Sequence, residues 1–110
     1  MIKNVNIFVF GGGSMNFWQA IIKIVGYDSF YKGRNYPYRY VGEDRIEKSK
    51  DFYAHNFYVK SEHSSNRYNV KVINNGGNIL GVSCDCPQFK KEKTCKHLAA
   101  VLIQNLDTIA

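Results

Sequence analysis

Residues 84–97 have the sequence CDCPQFKKEKTCKH, and they contain all three cysteines of the chain together with a histidine. The spacing is C-x-C, eight residues, and then C-x-H. Thiolate and imidazole are ligands that zinc prefers, and a structural zinc site has four ligands in a tetrahedron. The spacing therefore predicts one structural zinc ion. Its predicted ligands are Cys84, Cys86, Cys95 and His97.

The local structure around these residues suits a metal site. Cys84 and Cys86 are two residues apart, so they share one side of an extended strand end. Pro87 cannot continue a strand ladder and begins the connection that follows. Cys95 and His97 lie at the predicted start of the last helix, whose positive N-terminus favours thiolates. One ion would then join a strand end to a helix start.

The residues before the cysteines predict antiparallel strands. Apolar and polar side chains alternate over 57–61 and again over 68–72, which is the period of a half-buried strand. A turn at 63–66 separates the two runs. Asn and Gly at 74–77 tolerate positive φ and predict a hairpin turn, and the returning strand is 79–84.

The last helix is predicted over about 94–106. Its apolar stripe consists of Leu98, Val101, Leu102 and Leu106. Charges of both signs alternate over 43–54, and we expect a solvated amphipathic helix there. Residues 27–42 are rich in Tyr, Arg and Gly, and we expect an irregular connection.

The first 26 residues predict a strand, a glycine turn and a short helix. Val5, Ile7 and Val9 alternate with polar or aromatic neighbours, and Gly11-Gly12-Gly13-Ser14 interrupts the strand. Ser14 is expected to cap a helix that ends at Val25. The glycine run is also compatible with a phosphate-binding loop, but it lacks the rest of either phosphate-loop motif, and a plain turn is favoured.

A chain of 110 residues supports one small domain with an appended piece, and it is too short for a barrel or a doubly wound dehydrogenase. A metal staple is useful at this size. We predict an α+β fold, in which residues 43–110 form a small zinc-stabilised domain. Its antiparallel β-hairpin or meander and C-terminal helix make a ββα knuckle. Residues 1–42 are predicted to be an N-terminal extension.

The charge balance suggests an anionic partner. Fifteen Lys and Arg against nine Asp and Glu give a net charge of +6. Aromatic and basic residues interleave over 30–40, where they would either stack on nucleobases or pack at a domain edge; packing is favoured. The candidate nucleic-acid-binding residues are Lys90, Lys91, Lys93, Lys96, Arg34 and Arg39.

These residues resemble a known family. Cys84-x-Cys86, Cys95-x-His97 and the apolar run at 98–102 are similar to the SWIM-type zinc finger, and the resemblance extends back to about residue 45. It implies a ββα zinc module of the kind found with helicases, transposases and recombination complexes, where DNA binding and protein interaction are the attributed roles. We therefore expect a nucleic-acid-binding module, with DNA favoured. The alternative is an adaptor for a helicase, recombinase or transposase complex.

Other expectations concern compartment and catalysis. An odd number of cysteines disfavours a disulfide framework, so we expect a reducing, cytoplasmic location. Residues 7–26 are too interrupted by polar residues and glycines for a membrane span or a signal peptide. Reduced, buried cysteines without metal remain the alternative to zinc. We expect no enzyme activity, because four protein ligands leave no open metal position and no nucleophile–base pair stands out.

Two weaker patterns receive the simpler interpretation. His55 and His63 supply too few ligands for a second metal site, and we expect exposed or turn histidines. Asp44, Glu47 and Asp51 are interspersed with basic residues, which favours an exposed, ion-paired surface over a hard-metal or acid–base cluster.

Overall fold

A computed structural model describes residues 2–8 and 17–109 of the chain. One layer is a five-stranded antiparallel sheet with the strand order β1-β5-β4-β3-β2. The strands are β1 (Lys3–Phe8), β2 (Val41–Lys48), β3 (Tyr53–Lys60), β4 (Arg67–Asn75) and β5 (Asn78–Cys84). The helices are α1 (Phe17–Val25), α2 (Tyr27–Arg34), α3 (Pro87–Glu92) and α4 (Lys96–Ile109), with a short 3-10 helix at Tyr38–Tyr40. The predicted α+β class is confirmed.

The core lies between α4 and one face of the sheet, which we call the helix face. Alternate residues of β3, β4 and β5 point to this face, and Phe57, Val70 and Cys84 lie in one row across the three strands. These side chains and the stripe of α4 are almost completely buried. The predicted strands, the turn at 74–77 and the last helix are confirmed.

The opposite face of the sheet, which we call the open face, carries mostly polar side chains. It includes Asn56, Tyr58, Lys60, Arg67, Asn69, Lys71 and Ser83, all of them exposed or partly exposed. The sheet therefore has one buried face and one solvent-exposed face, as is usual for an antiparallel sheet.

The predicted helix over 43–54 is wrong. These residues form β2 and the start of β3, which pair with each other around a tight hairpin. β2 is an edge strand whose side chains are nearly all exposed, so its charges need no apolar face. Charged residues on an edge strand also discourage pairing with another molecule.

The predicted irregular connection over 27–42 is also wrong, because α2 forms there. Phe30 and Gly33 of α2 are buried, and a methyl group on Gly33 would lie 2.5 Å from Cβ of Ala99 in α4. Close packing on α4 thus stabilises a short helix that contains a glycine.

The N-terminal segment joins the same sheet. β1 pairs with β5, and α1 ends at Val25 as predicted. The predicted glycine turn at 11–14, Val9 and the Ser14 cap lie outside the described residues. The division into 1–42 and 43–110 stays a prediction. Among the described residues, no helix combines the length and apolar character that crossing a bilayer requires.

Candidate metal centre

Four potential ligand side chains converge where β5 ends and α4 begins. They are Cys84, Cys86, Cys95 and His97. Their ligand atoms all lie within 4.8 Å of one another, and all four residues are buried, with exposed fractions of 0–7%. A tetrahedral zinc ion with Zn–S bonds near 2.3 Å would hold its ligand atoms about 3.8 Å apart. The cluster therefore has the size and composition of a zinc site.

Two helix starts hold the sulfurs of Cys86 and Cys95. Cys86 is the N-cap of α3, and its Sγ accepts a hydrogen bond from the backbone N–H of Phe89 at 3.4 Å. Sγ of Cys95 accepts a hydrogen bond from the N–H of Leu98 in α4 at the same distance. Both helix starts direct backbone N–H groups at sulfur, which stabilises thiolates and orients the ligands.

Helix α3 is not among the elements predicted from the sequence. Pro87 is its first residue, a position where the missing N–H of proline has no cost, and Cys86 before it acts as the cap. This pair of residues was the available signal for a helix. From the sequence, Pro87 predicts only the end of the strand and the start of a connection.

Aromatic side chains enclose His97. Its ring lies 4.8 Å from the ring of Tyr68 and 5.7 Å from the ring of Tyr36, measured between centroids. The hydroxyl of Tyr36 donates a hydrogen bond to the carbonyl oxygen of Lys60. Burial, and then the nearby Glu62, raises the pKa of Tyr36 to about 12, so the phenol stays neutral and can donate this bond. The imidazole is thereby fixed against the sheet.

The donor set fits zinc rather than a hard cation. Three sulfurs and an imidazole nitrogen are soft or borderline ligands. Nδ1 of His97 is buried and has no hydrogen-bond partner among the described residues, which suits a nitrogen beside a metal. Hydrogen bonding by Cys84, and then by Cys95, lowers the pKa of the Cys86 thiol, so the cluster favours a thiolate there. All three cysteines are free of disulfide bonds.

The loop between α3 and α4 is tied to the N-terminal segment. The hydroxyl of Thr94 donates to the carbonyl oxygen of Val25 at 2.6 Å. Nζ of Lys3 donates to the carbonyl oxygens of Ile24 and Lys93 at 3.0 and 3.2 Å. Residues outside the cysteine-containing region thus help to hold the loop that carries the third cysteine.

Comparison with protein families finds a match that includes all four potential ligand residues. Residues 68–106 match the family model described as the SWIM zinc finger. This part of the chain is similar to SWIM zinc fingers. The predicted resemblance is confirmed, although the match begins at Tyr68 and leaves out 57–61. No curated protein and no solved structure matches the chain significantly.

The SWIM zinc finger is a binding module and not a catalytic one. Its buried Cys3His cluster is consistent with a single structural zinc ion, as predicted. The four side chains would hold the ion, and the ion would join β5, α3 and α4. In that role it would supply folding free energy, and its four protein ligands would leave no open coordination position.

The predicted basic residues lie in three places. Lys90, Lys91 and Lys93 are on or just after α3. Lys96 lies on the first turn of α4, where its Nζ is 3.6 Å from Oε1 of Glu62. Arg34 and Arg39 lie on either side of Tyr36 in the sequence. Their Cζ atoms are each 4.9 Å from a tyrosine ring centroid, Tyr31 for Arg34 and Tyr40 for Arg39. The role of these six residues in nucleic-acid binding stays a prediction.

The predicted nucleic-acid-binding residues do not include the basic residues of the open face. Lys60 lies on β3, and Arg67 and Lys71 lie on β4; Lys71 lines a cavity that Lys90 of α3 also lines. The strand alternation was the signal that could have identified Lys60 and Lys71, because it places them opposite the apolar side chains.

The minor patterns are also located. His55 is buried and its Nε2 lies 3.0 Å from Oδ1 of Asn74, so the expectation of an exposed or turn position is wrong for this histidine. His63 is exposed in a turn, as expected. Asp44, Glu47 and Asp51 are exposed, and Glu47 pairs with Arg45.

Proposed function

We propose that this chain is a non-enzymatic zinc-binding module that binds nucleic acid, with DNA favoured, through a basic surface beside the structural zinc. One observation carries the proposal: basic side chains concentrate at the end of the molecule that holds the metal ligands, which we call the metal end. These side chains are Lys60, Arg67, Lys90, Lys91, Lys93 and Lys96, with Arg34 and Arg39 on either side of Tyr36.

The acidic side chains at the metal end are largely engaged. Glu62 pairs with Lys96, and Asp85 accepts hydrogen bonds from the backbone N–H and the side-chain amide of Asn69 at 2.8 and 3.1 Å. Glu92 accepts a hydrogen bond from Gln88. Among the described residues, no ion pair joins these carboxylates to the exposed Lys90 and Lys91 of α3, which can therefore contact phosphate groups. Contacts of this kind bind with little sequence preference and weaken as salt rises.

The test is a salt titration of the zinc-loaded protein with labelled DNA, both duplex and single-stranded. We expect binding at low salt that weakens steeply toward physiological salt. The double variant Lys90→Gln/Lys91→Gln should reduce the salt slope by about 2, since each removed lysine lowers it by about 1.

The matched control is Lys48→Gln/Lys50→Gln, which removes the same charge from the exposed β2–β3 hairpin at the other end of the sheet. It should bind nearly as well as the wild type. Absence of binding at low salt, or equal losses in the two double variants, would reject the proposal.

A second candidate function is the adaptor, and an aromatic surface favours it. Tyr27 and Tyr31 of α2 are 65% and 51% exposed and stack on each other, with Trp18 of α1 nearby at 49%. Exposed aromatic residues often act as anchors of protein interfaces. The expected partner is a helicase, recombinase or transposase complex.

The adaptor is tested by affinity capture from a native extract with the wild type and with Tyr27→Ala/Tyr31→Ala as bait. Specific loss of a DNA-processing protein from the variant supports the adaptor, whereas identical captured proteins reject it.

We also propose a cytoplasmic location, because buried free thiols at a zinc site are stable in a reducing compartment.

A further inference from the structure

A stacked arrangement on the open face holds one arginine in place. The ring of Tyr58 lies across Gly42 on the neighbouring strand, and a methyl group at Gly42 would overlap the ring. The guanidinium of Arg67 lies over the same ring, with Cζ 3.7 Å from the centroid. The order from the sheet outward is therefore Gly42, Tyr58 and Arg67, and Arg67 is exposed.

A cavity adjoins this stack. It has a volume of about 520 Å³ and lies between the open face and α3. Asn56, Asn69, Lys71 and Ser83 line the side of the sheet, and Phe89 and Lys90 line the side of α3. Asn69 is directly opposite Tyr58 in the ladder, so the stack and the cavity form one continuous surface.

The charge of this surface is positive. Three lysines and one aspartate line the cavity, and the aspartate, Asp85, already accepts two hydrogen bonds from Asn69. Lys60 lies beside Arg67 on the adjacent strand and is exposed. Asn56 donates to Glu47 at 2.9 Å, which fixes its amide at the edge of the cavity.

We propose that the open face binds single-stranded nucleic acid, with a base stacked on the guanidinium of Arg67 and the following nucleotide in the cavity beside α3. This rests on the proposed function and specifies its surface and its ligand. A planar guanidinium is a stacking surface for an unpaired base, and lysines around it attract the phosphates. A recessed cavity between sheet and helix suits a splayed nucleotide, whereas paired bases in a duplex cannot enter it.

The arrangement depends on glycine at position 42. Gly42 lets Tyr58 lie flat on the sheet, and the flat ring supports the guanidinium by cation–π contact. A fixed arginine loses less conformational entropy on binding than a mobile one. Arg34 and Arg39 also lie over tyrosine rings, at 4.9 Å, so the shorter distance of 3.7 Å and the cavity next to the stack distinguish Arg67.

The experiment uses the full zinc-loaded chain and a labelled single strand of oligothymidylate of about 12 nucleotides, within the usual size of a single-strand site. Arg67→Lys keeps the charge and removes the stacking plane. It should weaken binding about 5- to 150-fold, the range for losing one stacked base, and leave the salt slope unchanged.

The matched control is Arg45→Lys. Arg45 is exposed on β2, on the open face of the sheet, as Arg67 is. Its guanidinium pairs with Glu47 at 3.5 Å. This variant should bind like the wild type. Gly42→Ala, which displaces Tyr58, should lose affinity in the same direction as Arg67→Lys. Zinc content and melting temperature verify that each variant is folded.

The outcomes separate the two proposals. If the wild type binds no nucleic acid at low salt, the proposed function itself fails. If the wild type binds but Arg67→Lys and Arg45→Lys behave alike, the open-face site is wrong and the proposed function stands. Equal or tighter binding of a duplex of the same length would likewise overturn the single-strand site.

Discussion

The two ends of α4 are attached to the same sheet by different chemistry. At the metal end, three sulfurs and an imidazole come together within 4.8 Å. At the opposite end, which we call the far end, the amide of Asn74 bridges the sheet and the helix. Its nitrogen donates to the carbonyl oxygens of Gly76 and Ile109, and its oxygen contacts His55.

The difference lies in how the polar atoms are satisfied. At the far end, the amide of Asn74 is satisfied by protein groups alone, while Nδ1 of His55 is buried without a hydrogen-bond partner among the described residues. At the metal end, thiolates and an imidazole are lone-pair donors that repel one another unless a cation lies between them. The first attachment is complete when the chain folds, and the second needs zinc.

The largest expected effect is the loss of the metal. Cys95→Ser should reduce the free energy of unfolding by about 3 kcal/mol or more, because it removes a ligand of a site that contributes to folding. The destabilised region should be roughly residues 77–110. Thermal melting with zinc quantification measures this, and a chelator applied to the wild type should reproduce it. A variant that melts like the wild type would show that zinc does not hold the fold.

A smaller effect is expected at the far end. Asn74→Ala should cost about 1–3 kcal/mol, since it leaves the buried carbonyl oxygen of Ile109 and the ring of His55 without their partner. The variant should keep one equivalent of zinc. Chemical denaturation gives the free energy, and Asn75→Ala, at the exposed neighbour, is the control. Loss of zinc from Asn74→Ala would mean that the two ends are not independent.

The smallest effect concerns the loop at the metal end. Thr94→Val keeps the shape of the side chain and removes the hydrogen bond to Val25, so we expect a cost of about 1 kcal/mol with zinc retained. Thr108→Val at the exposed far end is the matched control and should be nearly neutral. If both variants are neutral, the hydrogen bond does not link the loop to α1.

Local patterns were informative where the pattern and the environment agreed. Alternation over 68–72 and the stripe at Leu98, Val101 and Leu102 each correspond to an element whose apolar side faces the core, and the Asn-Gly turn corresponds to the connection between β4 and β5, where Gly76 has a positive φ. The spacing of the four ligands was informative for a different reason. Few arrangements other than a metal site bring three cysteines and a histidine together at such short separations.

Local patterns failed where contacts distant in sequence decided the outcome. The charges over 43–54 suit an exposed helix or an exposed edge strand equally well, and pairing with β3 selects the strand. Gly33 suggests a break in a helix when read alone, but it is the residue that lets α2 approach Ala99. His55 is buried because Asn74, nineteen residues away, provides its partner.

By itself, the sequence determined the metal site, the hairpin before it and the helix after it, because ligand chemistry and side-chain periodicity act over short distances along the chain. Only the tertiary structure decided which basic residues share a surface. Strand pairing places Lys60 beside Arg67, and the packing of α3 on β5 brings Lys90 to the cavity that Lys71 also lines. The position of Arg67 over Tyr58 likewise depends on Gly42. Gly42 lies on β2, a strand that the charge pattern did not predict.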